Sequence, residues 1–276
     1  MQVRRLPEII MINVLLLLGV VIAVVPYVFM ITSTLKPNAE LYSLPVRILP
    51  QTLNWENYRV LFSEYPFLLW FWNTVVLSIG RTVIGVLLSM LAGFAFAKYD
   101  FRYKRLLFTL VLISILLPFQ IMLVPLFIQM AVMQWLNTYQ GVILPFAVSA
   151  FLIFLARQYM LSVPDELLDA ARIDGAGEFS IFWRVVLPTQ KPALAVISIL
   201  TFTGAWNDYL WPLIVLQETE KFVVNVGVAS MLGPYRIPLG AVLAGSFLST
   251  LPILIFFFFM QRQFIAGLTE GAVKGS

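Results

Sequence analysis

Two charged residues, Arg81 and Asp208, sit inside stretches that are otherwise apolar. A charge at bilayer depth is expensive and is normally paired or functional. Arg81 lies eight residues after Asn73, and Asp208 eight residues before Leu216. If the two stretches run in opposite directions at about 1.5 Å per residue, both charges fall roughly 12 Å below the same outer end. Equal depth and opposite sign permit an ion pair or a shared polar cavity near an outer gate. The alternative is a separate bond from each to nearby backbone. Asp208 belongs to the run Trp206-Asn207-Asp208-Tyr209-Leu210-Trp211-Pro212. Sugar sites combine hydrogen bonds to hydroxyls with aromatic faces. Arg81, Trp206, Asn207 and Asp208 are therefore candidates to line a solute path, although aromatic residues at this depth also suit interfacial anchoring.

Other chemistry is excluded by residue type. The chain has no histidine and no cysteine. The commonest general base and metal ligand is missing, and so is every thiolate. No G-x-x-x-x-G-K-[ST] occurs. The glycines at 267, 271 and 275 near Lys274 have the wrong spacing, and no strand precedes them. This end is expected to be a cytoplasmic tail. We expect no enzyme, no metal and no cofactor in this chain.

A second constellation lies in the segment 157–192, RQYMLSVPDELLDAARIDGAGEFSIFWRVVLPTQKP. Pro164 can open a helix, and Asp165 and Glu166 favour its first turn. Leu167, Leu168 and Ala171 make an apolar stripe. Asp174-Gly175-Ala176-Gly177 is a break with turn chemistry. Phe179, Phe182 and Val186 recur at helical spacing in a second short helix, which Pro188 is expected to end before Pro192 opens the next element. The pattern fits an amphipathic loop lying on a surface, or a helix that plugs into a groove of a soluble partner.

The elements that must hold these residues are membrane spans. The 276 residues are 61% hydrophobic and 12% charged, where a soluble domain carries roughly 25% charged residues. A helix needs about 20 apolar residues to cross, and six stretches qualify or nearly so: Ile9–Ile31, Trp70–Ala97, Leu106–Val132, Gly141–Ala156, Ala193–Leu216 and Leu239–Met260. The first has too long an apolar run for a secretory signal and is expected to be retained. Arg4, Arg5, Lys98, Arg102, Lys104, Arg105, Arg157, Arg172, Arg184, Lys191, Arg262 and Lys274 share one side if there are six crossings. Lys36, Arg47, Arg59, Lys221 and Arg236 fall opposite. The basic side is cytoplasmic, so both ends are expected there. The net charge of +4 follows from this loop pattern, and no nucleic acid is expected as a partner. The fold class is all-α, one polytopic membrane domain over residues 1–276.

Opposite the basic side, the segment 32–69 should carry a short helix capped by Asn54, with Trp55, Tyr58, Leu61 and Phe62 on one face. That helix suits the membrane interface or an external partner. Small residues recur at Ser89, Gly93 and Ala97, and at Ala241, Gly245 and Ser249. Both sets are expected to be close helix-packing faces.

The run Asp169-Ala170-Ala171-Arg172-Ile173-Asp174-Gly175-Ala176, with Phe182 and Leu187-Pro188, resembles the EAA motif of ATP-binding-cassette importer permeases. Leu35-Lys36-Pro37, Asn54 to Tyr58, Leu136-Asn137-Thr138-Tyr139, the Trp206 to Pro212 run and Gly267-Leu268-Thr269 are similar to the carbohydrate-uptake branch, and within it to the second permease of maltose-type systems. The likeness covers nearly the whole chain. It implies the type I importer fold in a bacterial or archaeal inner membrane. It also implies a homologous second permease, two cytoplasmic ATPase subunits that bind ATP and Mg, and an external binding protein. Asp169, Ala170, Ala171, Asp174, Gly175, Ala176, Phe182 and Pro188 would form the loop that couples to the ATPases. Asp169 departs from the motif's Glu and is one methylene shorter. In maltose-type systems the other permease holds most of the sugar.

A sugar or oligosaccharide importer working by alternating access is the reading these features support. The alternatives are an importer for another solute, such as a phosphorylated polyol, an ion-coupled secondary carrier, or a membrane scaffold. A secondary carrier would bring inverted repeats and a central coupling acid, and neither is present.

Overall fold

A computed structural model of the chain describes residues 6–233 and 237–273, with side chains for 8–233 and 237–261. Arg4, Arg5, Arg236, Lys274, Gly275 and Ser276 lie outside the described residues, as do the side chains of Arg262 and of the glycine-rich end. The described residues form helices and loops, with no strand among them. In chain order the helices are α1 (Leu6–Thr34), α2 (Glu56–Glu64), α3 (Phe67–Lys98), α4 (Lys104–Ile115), α5 (Phe119–Val132), α6 (Tyr139–Phe146) and α7 (Ala150–Met160). After these come α8 (Asp165–Ile173), α9 (Glu178–Thr189), α10 (Lys191–Trp206), α11 (Leu210–Val215), α12 (Val224–Ser230) and α13 (Leu239–Val273).

Three helices, α1, α3 and α13, are long and apolar enough to cross a membrane uninterrupted, and the total reaches six if each bent pair counts as one span. The stretch Leu106–Val132, expected as one helix, is two. α4 and α5 meet at 105°, because Pro118 lacks an N–H and keeps Leu117 out of helical geometry. α6 and α7 meet at 50°, where the Ser149 hydroxyl caps α7 by accepting from the Leu152 N–H at 3.2 Å. The expected Ala193–Leu216 span breaks after Trp206 and resumes as α11. Pro212 removes the amide that would have bonded the Asp208 carbonyl and continued the helix.

The chain forms two compact units, residues 1–68 with 227–251, and residues 69–226 with 252–276. In the first, the loop after α1 is built on Lys36. This lysine is only 2% exposed. Its ammonium donates to the Arg47 carbonyl at 2.6 Å and to Ser33 at 3.2 Å, and lies 4.7 Å from the centre of the Phe29 ring. Asn57 on α2 donates to the carbonyls of Thr34 and Lys36, both at 2.8 Å, and so satisfies the C-terminal end of α1. Asn54, expected as the cap of α2, lies one residue before the N-cap position, which Trp55 holds, and the Asn54 side chain accepts from the Glu56 N–H at 2.6 Å. The expected apolar face is corrected. Asn57 and Leu61 are the buried residues of α2, and Trp55 precedes the helix with 65% exposure. A polar Asn wins an inward place because two orphan carbonyls need it.

The second unit has two cores on α3. Met90 and Phe94 pack with Leu152, Ala156 and Met160 of α7, Leu168 and Ala171 of α8, Phe182 and Val186 of α9, and Ile197 of α10. Toward the other end of α3, Leu77 packs with Met130, Val142, Trp211, Val215 and Val226. The small-residue faces are close contacts. A Cβ on Gly93 would come within 2.5 Å of the Ala156 Cβ and 2.7 Å of the Arg157 nitrogen. In the first unit, a Cβ on Gly245 would meet Val228 at 3.0 Å.

We expect Gly93→Val to destabilise the protein by about 1–3 kcal/mol, the usual cost of overpacking a tight core. Gly19→Ala, with nothing within 4 Å of the added carbon, should leave stability unchanged. Apparent melting temperatures in detergent compare the two. Equal melting temperatures would show that α3 and α7 are free to separate at this point.

Candidate functional site

The loop between α7 and α10 is a helix–turn–helix plugged into the inner core of its own unit. Pro164 precedes α8 in extended geometry, and Asp165 and Glu166 occupy the first turn. The turn after α8 is closed by two hydrogen bonds, from the Ala176 N–H to the Ala171 carbonyl and from the Gly175 N–H to the Arg172 carbonyl, both at 3.0 Å. Gly175 sits at φ +80°, the left-handed position that this helix-ending motif requires. Phe182 is 1% exposed, and its ring lies 5.4 Å from that of Phe94. Ala171 is buried with it, Ala176 packs at the core edge, and Asp169, Ala170, Asp174 and Pro188 face outward.

Pro188 does not end α9, which continues to Thr189. Residues 181–186 are wound as π-helix. A single π turn of this kind inside an α-helix often marks a functional site. The true break lies at Gln190, where α9 and α10 meet at 86°.

A polar clamp fixes this loop to the end of α3. Arg172 donates to Asp169 at 2.9 Å and to the two Glu178 oxygens at 2.8 and 3.2 Å. The Tyr99 hydroxyl also donates to Glu178. Lys98 bonds Asp165 at 2.7 Å and the Val163 carbonyl. Arg172 and then Tyr99 hold the Glu178 carboxyl below its ordinary range, while the carboxylates of Glu178 and Asp169 raise Arg172. Burial first, and the bond to Glu178 second, push Tyr99 up to about 12. Sequence reading missed Tyr99, Lys98 and Glu178, because no periodicity links residues so far apart in the chain. Beside the clamp, Ile173 is 86% exposed and Phe179 69%. Among the described residues these large apolar side chains are left mostly uncovered, Phe179 meeting the Trp183 ring edge-on with ring centres 6.0 Å apart.

Arg81 and Asp208 do meet. The Arg81 Nη1 lies 2.9 Å from the Asp208 Oδ2, with side-chain exposures of 19% and 18%. The Arg81 Nε donates to the Phe146 carbonyl at 2.9 Å, and backbone N–H groups of Trp211 and Tyr209 also face Asp208. The pair borders a cavity of about 500 Å³ lined also by Ser114, Phe119, Phe146, Ser149 and Gly204. A small void of about 10 Å³ joins the same pair to Thr74 and Ser78. Trp206 is 1% exposed and stacked on Phe202 with ring centres 5.6 Å apart, so it belongs to the packed interior and does not line the larger cavity. Asn207 is exposed and does not line the larger cavity.

Residues 85–266 match the family described as binding-protein-dependent transport system inner membrane component. The chain is 43% identical over 257 residues to the arabinooligosaccharides transport system permease protein AraQ of Halalkalibacterium halodurans, covering 92% of each chain. It is 35% identical over 271 residues to the lactose transport system permease protein LacG of Rhizobium radiobacter, covering 98% of each. It is 32% identical over 267 residues to the sn-glycerol-3-phosphate transport system permease protein UgpE of Yersinia enterocolitica, covering 94% of this chain and 95% of the relative. In fold it is similar, with a TM-score of 0.85 and 24% identity, to a chain of a bacterial ABC transporter involved in import of the acidic polysaccharide alginate. That match covers 95% of this chain and 98% of the other.

Two predictions follow from the site's electrostatics. Arg81→Met strands the Asp208 charge and should lower stability by about 3–5 kcal/mol, whereas Arg81→Met with Asp208→Leu should recover part of the loss, the Phe146 carbonyl and the amides of Tyr209 and Trp211 staying unserved. A double-mutant cycle on unfolding in detergent reads this, and strictly additive losses would show that the pair has no coupling. Because the Glu178 carboxyl is depressed on folding, its contribution is full above the ordinary carboxylate range and is lost as pH falls through the lowered value. A spin label on Asp174→Cys should therefore stay immobile at neutral pH and loosen only in acid. Adding Glu178→Gln should loosen it at neutral pH already. Identical spectra at neutral pH would remove Glu178 from the clamp.

Proposed function

The chain belongs to the family of binding-protein-dependent transport system inner membrane components, and from that premise we propose that it is the second permease of an ATP-driven importer for a sugar or oligosaccharide. The named relatives at 43% and 35% identity carry arabinooligosaccharides and lactose, which supports the carbohydrate class. A phosphorylated polyol is the second reading, favoured by the 32% identity to the sn-glycerol-3-phosphate permease.

In this reading the chain works beside a homologous permease, with both its termini on the cytoplasmic side. An external binding protein delivers the solute. Two ATPase subunits bind ATP and Mg and receive the α8–α9 loop. Closure of the ATPases draws the loops together and opens the solute path outward, and hydrolysis resets it. This chain contributes no catalysis. One observation carries the proposal: the loop buries Ala171, Phe182 and Val186 in its own core while leaving Ile173 and Phe179 bare beside a rigid turn. An apolar patch held on a rigid helix pair is suited to filling a groove on a partner.

The test is Ile173→Asp with Phe179→Asp in the full assembly. Both side chains point away from the core, so the chain should still insert. The ATPase subunits should no longer co-purify, and ATP-dependent uptake in proteoliposomes should fall at least tenfold. Normal co-purification and uptake would move the coupling surface elsewhere.

A further inference from the structure

We infer that the cavity beside Arg81 and Asp208 is a subsite for one unit of a neutral sugar, an inference that rests on the carbohydrate reading above. Its position is the first reason. Ser114 to Phe119 carries the α4–α5 bend, Pro145 to Ala150 the α6–α7 bend, and Gly204 to Asp208 the end of α10, and all three segments line this one cavity. Irregular backbone at membrane depth is tolerated where it is buried in protein or lines a water-filled cavity. Broken helices are where transporters place their solutes. A volume of about 500 Å³ lies within the range of small-molecule sites, roughly 300–1,000 Å³.

The chemistry is the second reason. Arg81 engages the Phe146 carbonyl through Nε and Asp208 through Nη1. Its other terminal nitrogen has no hydrogen-bond partner among the described residues. A guanidinium beside a carboxylate presents donors and an acceptor side by side, the pattern that neighbouring sugar hydroxyls match. Phe119 and Phe146 add ring surface for the sugar's C–H face. Charge selects the class of solute. Arg81 and Asp208 are the ionisable residues among those lining the cavity, and they cancel. A phosphate would meet Asp208 with no spare cation, whereas a neutral polyol suffers no such repulsion.

Gly204 gives direct access for a test. It lies on the cavity wall, and a Cβ added there finds nothing within 4 Å. The chain has no cysteine, so Gly204→Cys introduces a single thiol into it. The full importer is reconstituted and offered arabinotriose, lactose or sn-glycerol 3-phosphate, and maleimide labelling of this chain is followed by mass. The transported sugar should slow labelling at least threefold, and sn-glycerol 3-phosphate should not. Gly204→Trp, which fills the space, should lower sugar uptake at least tenfold in an assembly that still co-purifies. Labelling unchanged by a sugar that the assembly does transport overturns the subsite and leaves the permease reading intact. Slowing by sn-glycerol 3-phosphate alone overturns the neutral-sugar assignment. An assembly that transports neither sugar overturns the carbohydrate reading and the subsite together.

Discussion

Inside a bilayer, every backbone N–H and C=O that leaves a helix must find a partner from the protein or from a water-filled cavity. This chain breaks its apolar stretches repeatedly, and its intramembrane polar side chains are placed where the breaks need them. The Phe146 carbonyl, at the end of α6, receives Arg81. The Trp206 carbonyl, at the end of α10, receives Asn225 at 2.9 Å. Trp211 donates to the Gly141 carbonyl at 3.0 Å. Asn73 serves the carbonyls of Glu220 and Phe222, and Trp70 that of Thr219. Asn137 accepts from the amides of Gln217 and Glu218. Each of these bonds joins segments that are apart in the chain, so satisfying the backbone also helps set the tertiary arrangement.

The Arg81–Asp208 pair is best understood within that constraint. An isolated ion pair at this depth gives little net stability, because desolvation offsets attraction. Here both partners have further work. The guanidinium serves a helix-ending carbonyl, and backbone amides at the start of α11 face the carboxylate. The pair thus ties the α6–α7 break to the α10–α11 break through α3, and leaves the larger cavity polar at the place where the helices part. Gly141 shows the same economy of space. A Cβ there would come within 2.1 Å of the Trp135 carbonyl, so glycine is required for the loop after α5 to fold onto α6.

Much of this was legible from residue types and spacing. The apolar stretches located the spans, and helical rise placed Arg81 and Asp208 at one depth before any contact was known. The helix–turn–helix after α7 followed from Pro164, the acidic first turn and Gly175. What was not legible depends on long-range partners. Asn57 carries no signal in the sequence, yet it is buried because it serves the carbonyls at the end of α1. Trp206 reads as a sugar platform, yet Phe71 and Phe202 enclose it. The sharp α4–α5 bend has a local cause in Pro118, but Pro26 and Pro252 sit within α1 and α13 without ending them. Proline alone does not say which helix will break. In a membrane that depends on whether neighbours satisfy the freed carbonyl.

The α8–α9 loop divides its energetics between two kinds of contact. The clamp of Arg172, Asp169 and Glu178 is substantially exposed, and exposed ion pairs contribute roughly 0–1 kcal/mol. Attachment must therefore come from the apolar plug, where Leu168, Phe182 and Val186 are buried against Met90, Phe94 and Met160. Burying side chains of this kind stabilises by about 1.5–3 kcal/mol each. The clamp's task is orientation: it fixes the angle at which Ile173 and Phe179 are presented. Close-packed interiors transmit displacement because they compress little. The exposed face is joined to α3 through Phe182 on Phe94 and through Asp165 on Lys98, both toward the C-terminal end of α3. The same helix carries Arg81 at the cavity, so one continuous element connects the surface suited to a partner with the place where the helices part.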